Sequence, residues 1–388
     1  MARKPNRGSG GPRHAALDYR PPLSLRLIRY GLIGIVSSAV IGVAYTAYWF
    51  FLASNLKDGI GQWVEARAGA GVQMSQKRIE ISGFPLALRV IMTAPRIAFS
   101  GFSETGEGDR WEWRAKKLSA HMAPWNLGRI SVDLAGEHSL DIAAGRTRQS
   151  YQGKAAKLRV VADLHGDGLP ASVRLSAEAL TITAGRGAKF ASVAVAEIFA
   201  ARLFPDEVTA KTPTFDLDLS LSGLTLPAGL RLPLGEDVRQ LNIEAKILGG
   251  LKFPVTVDTI GLWRDDGGIV EVGRLETQYG PLNVRANGTL SLDAAMQPVG
   301  AMTAKARGFF QTVKALRDAG HIRSRDAAMA RLILGVLARK LKGGGPASIS
   351  LPLSIQERKL YAGPVRLMDM PLIKWTRPPD ASGVQKLR

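Results

Sequence analysis

The sequence predicts a mainly β (α+β) protein: an elongated, repetitive antiparallel sheet with a C-terminal helical pair and one N-terminal transmembrane helix. Three observations carry this. An uncharged run from Tyr30 to Leu56 follows a basic leader. From about Val72 the apolar residues alternate with polar ones, the period of a strand. Between Gly308 and Lys342 the period becomes helical again.

The apolar part of the first run, about Leu32 to Ala53, would be roughly 33 Å long as a helix, enough to cross the hydrocarbon core. Residues 1–29 carry Arg3, Lys4, Arg7, Arg13, Arg20, Arg26 and Arg29 against one acid, Asp18. Such a leader stays in the cytoplasm, so the remainder is expected outside it. Tyr45, Tyr48, Trp49, Phe50 and Phe51 stand at the distal end, where a signal peptide would have small residues and a cleavage site. The expected division is a basic cytoplasmic leader, 1–29; a retained signal-anchor, 30–54; an extracytoplasmic β-rich domain, 55–377; and a tail, 378–388. The expected topology is single-pass, with the N-terminus in the cytoplasm and the bulk outside it.

Composition limits the rest. With 388 residues, 46% hydrophobic and 22% charged, the chain can bury a sizeable core. The net charge of +19 sits in the leader and in a second cluster between Lys305 and Lys342. The membrane span would separate the leader from the folded domain, so nucleic acid is not an expected partner. There is no cysteine, which excludes disulfides, zinc-thiolate sites and a cysteine nucleophile.

After the anchor, Leu56, Ile60, Trp63 and Val64 mark a short helix over 55–69, stopped by Gly69 and Gly71. Alternation then predicts strands at 78–82, 86–92, 117–121, 130–134, 139–143, 157–163, 171–180, 214–221, 241–247, 269–277, 282–286 and 289–293. Asp265-Asp266-Gly267-Gly268 and Asn287-Gly288 read as turns between them. A loose repeat pairs Val173-Arg174-Leu175 with Leu180-Thr181-Ile182, Leu217–Leu219 with Leu224–Leu226, and Leu282–Val284 with Leu290–Leu292. Either successive strands of a repetitive sheet or any meander of short strands produces this pattern.

Helices are expected over Gly308–Ala319 and Ser324–Lys342, the second capped by Ser324 and ended by Gly343–Gly345. Met329, Leu332, Ile333, Val336, Leu337 and Leu341 would share a face that covers the sheet. A strand pair, 348–355 and 359–365, closes the domain.

Chemistry-bearing motifs are sparse. Asp163-Leu164-His165-Gly166-Asp167 is the one metal-like cluster, and with five histidines in the chain a metallohydrolase would lack its further ligand blocks. A polar turn closing a strand is the better reading. Gly-x-Ser-x-Gly, His-Glu-x-x-His and a phosphate loop are absent. No catalytic, cofactor-binding or metal site is assigned, no cofactor is expected, and the chain is expected not to be an enzyme. Tryptophans 63, 111, 113, 125, 263 and 375 are expected to fill cores or cover strand ends.

In order along the chain come Trp63-Val64, Gly83-Phe84-Pro85, Trp113-Arg114-Ala115, Pro124-Trp125-Asn126, Gly280-Pro281-Leu282, Asn287-Gly288-Thr289-Leu290, Leu351-Pro352-Leu353 and Gly363-Pro364-Val365. This order resembles the bacterial family catalogued as domain of unknown function 2125, over about residues 45–375. With the expected topology, the bacterial resemblance implies the inner (cytoplasmic) membrane and, for the bulk of the chain, the periplasm. The basic leader is a departure from its pattern. The family implies no reaction and no catalytic residues. A wider likeness to AsmA-like envelope proteins implies a groove-shaped sheet with an apolar interior that handles lipid. The expected function is therefore a non-enzymatic envelope protein that binds or conveys lipid or another apolar ligand. Membrane lipids are its expected partners, with other envelope proteins as further candidates. The alternatives are a scaffold with a closed core and, third, a hydrolase using Asp163, His165 and Asp167. A charge at Leu219 or Val284 separates the first two: it abolishes binding in a groove and unfolds a closed core.

Overall fold

The computed structural model describes residues 23–68, 72–100, 110–144, 147–185, 187–227, 234–253, 255–320, 322–337, 347–363, 365–373 and 375. Most of the leader, Gly69, Gly71, the glycines 343–345 and the tail 378–388 lie outside these residues. The chain divides after Ser54 into two compact units.

Helix α1 runs without a break over Leu23–Ala68, 46 residues, or roughly 69 Å. The expected anchor and the short helix after it are one element. Its stretch Tyr30–Gln62 is long and apolar enough to cross a membrane. Of the five aromatics at its middle, Tyr48, Phe50 and Phe51 are exposed and Trp49 is buried.

The rest is a single antiparallel sheet in which every strand pairs with its neighbours along the chain. Its first five long strands are each broken once. They are β1 (Val72–Ser75) with β2 (Arg78–Ser82), β3 (Leu88–Thr93) with β4 (Arg96–Ser100), β5 (Arg110–Ala115) with β6 (Lys117–Ala123), β7 (Asn126–Asp133) with β8 (Gly136–Ala144), and β9 (Thr147–Ala155) with β10 (Lys157–Leu164). Both halves of each pair with both halves of the next: β2 with β3 and β1 with β4, then β3 with β6 and β4 with β5, and so on. Unbroken strands follow: β11 (Pro170–Ala184), β12 (Ala188–Arg202), β13 (Pro213–Thr225), β14 (Asp237–Leu248), β15 (Ile269–Tyr279), β16 (Leu282–Leu292), β17 (Pro298–Arg307) and β18 (Ser348–Gln356). Short β19 (Lys359–Ala362) and β20 (Val365–Asp369) finish it. The sheet is open: β20 pairs only with β19, and β1 and β2 each have one partner.

The breaks line up. One edge of β11 pairs with β10 over residues 170–178 and with β9 over 181–184, interrupted at Ala179, whose φ is +50°. The interruption continues into β12 and β13. There the pairing lapses between Val195↔Ser222 and Ser192↔Thr225, around Gly223, with the register the same on both sides. Gly223 has φ +60°, and a Cβ there would lie 2.8 Å from that of Ala194. Such a line of interruptions forms a crease running across the strands of the sheet.

Three helices interrupt the meander. Helix α2 (Val257–Asp265) lies between β14 and β15, with Thr256 and Thr259 forming a reciprocal cap. Asp265–Gly268 is therefore the return from a helix that alternation alone did not reveal. Gly268 is required there, because a Cβ would sit 2.2 Å from the buried Trp263 ring. Helices α3 (Phe309–Asp318) and α4 (Ser324–Leu337) join β17 to β18 at the expected place. Phe309, Phe310 and Leu334 pack over Leu282, Val284, Ala306, Ile349 and Leu351. Met329 and Leu332 are exposed, so the apolar face expected for α4 does not all reach the sheet.

The paired repeats are halves of single long strands, β11, β13 and β16. Asn287-Gly288 is not a turn; it continues β16. The glycine serves close approach instead, since a Cβ at Gly288 would sit 2.2 Å from the Ala301 carbonyl oxygen of β17.

Register sorts the side chains into two faces. On one face charges pair across strands, Arg96 with Glu112, Arg114 with Asp141, Arg159 with Asp133, Lys157 with Glu178 and Arg285 with Glu276, and Arg114 also pairs with Glu112 along β5. Each exposed pair contributes about 1 kcal/mol or less. Asp133 is held below the usual carboxylate range by the Ala135 N–H it accepts and then by Arg159; Asp141 is held down by the Ser150 hydroxyl and then by Arg114. Carboxyls depressed on folding stabilise fully above their unfolded value, about 4, and lose that contribution as pH falls through the lower folded values. The melting temperature should therefore be level from neutral pH down to about 5 and fall below about 4. Circular dichroism melts would check this, and a flat profile to pH about 2 would mean that the ion pairs contribute nothing.

Candidate functional site

The opposite face is apolar through all the strands. In the first part of the sheet it presents Ile79 and Ile81, Val90 and Met92, Leu118 and Ala120, Ile130 and Val132, Leu158 and Val160, matched across successive strands by register. It continues through Leu175, Ile198, Leu219, Ile243 and Leu275, then Ala286, Ala304 and Leu351. On the other side of the crease it carries Met74, Ile97, Trp113, Leu140 and Tyr151.

Burial shows which way the crease bends. The residues flanking it on this face are small and enclosed: Pro95, Ala115, Ala155, Ala177 and Ala196 are all at most 9% exposed. Lys116, Ala156, Ala179 and Ala194, at the same line, are exposed. One cluster joins Leu158, Leu175 and Leu221 from one side of the crease to Leu180, Val193 and Leu224 from the other. The apolar face is thus the inside of the bend, and the sheet forms a trough. Small side chains are needed there because a concave surface brings neighbouring Cβ atoms together.

The trough wall carries aromatics. Trp111 lies parallel to Phe99, ring centroids 6.1 Å apart, and Trp113 stacks on His138 at 5.7 Å. These two tryptophans line the wall. Trp263 and Trp375 act as expected of structural residues, donating their indole N–H to the carbonyls of Leu248 and Met296. Two buried polar atoms along the crease, His138 Nδ1 and Gln76 Oε1, have no hydrogen-bond partner; the other ring nitrogen of His138 contacts the Leu134 carbonyl. A ligand with a polar group would find unsatisfied atoms here.

The metal-like motif is not a site of convergence. Asp163 pairs with Arg129 at 3.6 Å and accepts from the Ser172 hydroxyl. Asp167 pairs with Arg202 at 3.0 Å and accepts the Leu169 N–H, closing a turn. His165 packs edge-on to Phe204. Among the described residues no group of three or more His, Asp or Glu side chains is placed to hold a metal ion. The hydrolase reading gains nothing from this arrangement. Depressions on the outer face, such as one of about 500 Å³ beside Arg96, Glu112 and Asp141, are lined by the ion pairs already described.

A family model described as "Uncharacterized protein conserved in bacteria (DUF2125)" matches residues 49–371. The chain belongs to this family. The matched stretch opens within α1, at its aromatic residues, and ends just past β20, so the DUF2125 region contains the whole sheet and the helical pair. No curated protein matches the chain.

Proposed function

We propose that this DUF2125 protein is a membrane-anchored protein of the cell envelope that binds or conveys lipid, or another apolar ligand, along its trough without catalysing a reaction. In this reading α1 is retained in the inner membrane with the basic leader in the cytoplasm and the sheet in the periplasm. The observation that carries it is an apolar face that runs through all the strands while the helical cover lies over β16–β18. Apolar surface of that extent on a soluble domain marks a binding surface.

The test is crosslinking in membranes holding the full-length chain, using phospholipid with a photoactivatable acyl chain. Adducts on Leu158, Ile198, Leu219 or Ile243 are expected. Adducts confined to Tyr30–Gln62 would overturn the reading and favour a scaffold of envelope assembly.

A further inference from the structure

The crease divides the trough into two walls, and the strand ends form its two lips. At one lip lie the connections β2–β3, β6–β7, β10–β11, β12–β13, β14–β15 and β16–β17. The first five of them each expose a large apolar residue: Leu86 at 70%, Trp125 at 69%, Leu169, Phe204 at 53%, and Leu262 at 55%. The sixth, residues 293–297, receives one from elsewhere. Gln297 and Ile373 exchange hydrogen bonds of 3.0 and 3.1 Å, which sets the exposed Leu372 beside it. The opposite lip differs: its described turns are glycines such as Gly185, Gly187 and Gly280, and further on it bears α3 and α4.

Local structure holds these apolar residues out, Leu262 on helix α2 and the others on turns and loops. Pro124 is fully buried beside the exposed Trp125, and Gly83, at φ +103°, accepts from the Ala87 N–H to fix the turn that presents Leu86. At the same lip Asp167 pairs with Arg202 and Arg264 with Asp265, while Asp206, Glu207, Asp258 and Asp266 outnumber Lys211 and Lys252, and the β18–β19 turn sets Glu357 beside Arg358. Apolar tips on successive connections along a line, at least one on each of the first five, suit a flat, fluid surface better than a sculpted protein pocket. Trp and Phe among them are side chains that settle at a bilayer interface. The excess of acids over bases specifies a neutral headgroup layer rather than an anionic one.

We infer that this lip is a membrane-docking edge, which rests on a phospholipid surface through Leu86, Trp125, Phe204 and Leu262 by apolar insertion. It builds on the lipid-binding reading, supplying the place where lipid crosses into the trough. Its test is separate, because the lip can dock whether or not the walls hold lipid.

The absence of cysteine makes single-site labelling direct. The full chain is reconstituted in nanodiscs, with an environment-sensitive fluorophore on Leu86→Cys or Leu262→Cys, and on Lys189→Cys at the other lip as control. Protein-free phosphatidylcholine vesicles are then added. A twofold or greater rise in emission at positions 86 and 262, none at 189, and no loss on raising salt from about 0.1 to 1 M are expected. Trp125→Asp/Phe204→Asp in the same labelled protein should remove the rise while the melting temperature holds, since both side chains are exposed. No rise, a rise only with anionic vesicles, or a rise that follows protein concentration without vesicles (a second copy as the partner) would overturn the inference. Wall crosslinking that fails beside an intact lip signal would overturn the trough reading alone.

Discussion

Ile349→Asp should unfold the C-terminal end of the sheet, at a cost of about 4 kcal/mol. Ile349 is 2% exposed and sits between Ala306 and the helix residue Phe309. A carboxylate there has no cation to pair with in that cluster and no route to water except by lifting α3 away. Val284→Glu should act in the same direction with a smaller effect, because Val284 is only partly buried under the same helices. The measurement is urea unfolding of the full-length protein with limited proteolysis between β16 and β18. Unchanged midpoints would mean that the helical pair is not packed on the sheet.

Leu219→Glu should do the opposite: leave the fold in place and remove ligand. Leu219 faces the trough between Ile198 and Ile243 and belongs to neither buried cluster. A charge beside an acyl chain costs about 3 kcal/mol, so lipid crosslinked to the wall should fall by roughly tenfold or more. Melting temperature should move by only a few degrees. Loss of folding with Leu219→Glu would show that this wall is a closed core, and would shift the function toward a scaffold.

Leu219 and Val284 look alike in the sequence, each an aliphatic in an alternating run. What separates them is whether helices that come later in the chain, α3 and α4, lie above, and periodicity does not carry that information. The same limit explains the strands that alternation missed. In β9 the inward positions are Tyr151, Gly153 and Ala155, and in β17 they include Gly300, Ala304 and Ala306. The crease and the close strand approach demand small residues there, so the hydropathy signal is weak where the geometry is tightest. By contrast β2, β10 and β18 were legible nearly to the residue, because their inward positions are large and aliphatic. The trough itself was legible only as a family likeness. Its wall shows up as Trp111 and Trp113 alternating with Arg110, Glu112 and Arg114 in β5, a strand signal that was read as strand-end cover.

The pairing scheme also governs how such a chain can assemble. No strand waits for a partner made much later, since each long strand bonds to the one just before it and the one just after. The loop-closure entropy of most steps is therefore that of a short connection, the exceptions being β14 to β15 and β17 to β18, where helices intervene. A chain emerging N-terminus first can lay down order progressively, each finished strand serving as template for the next. The bend need not be installed at the end, because each strand brings its own interruption into line with the last. The cost of this scheme is a bare leading edge throughout synthesis, open to any passing strand. The element that comes last, β20, is short, and its Arg366–Asp369 pair leaves charge on the growing edge.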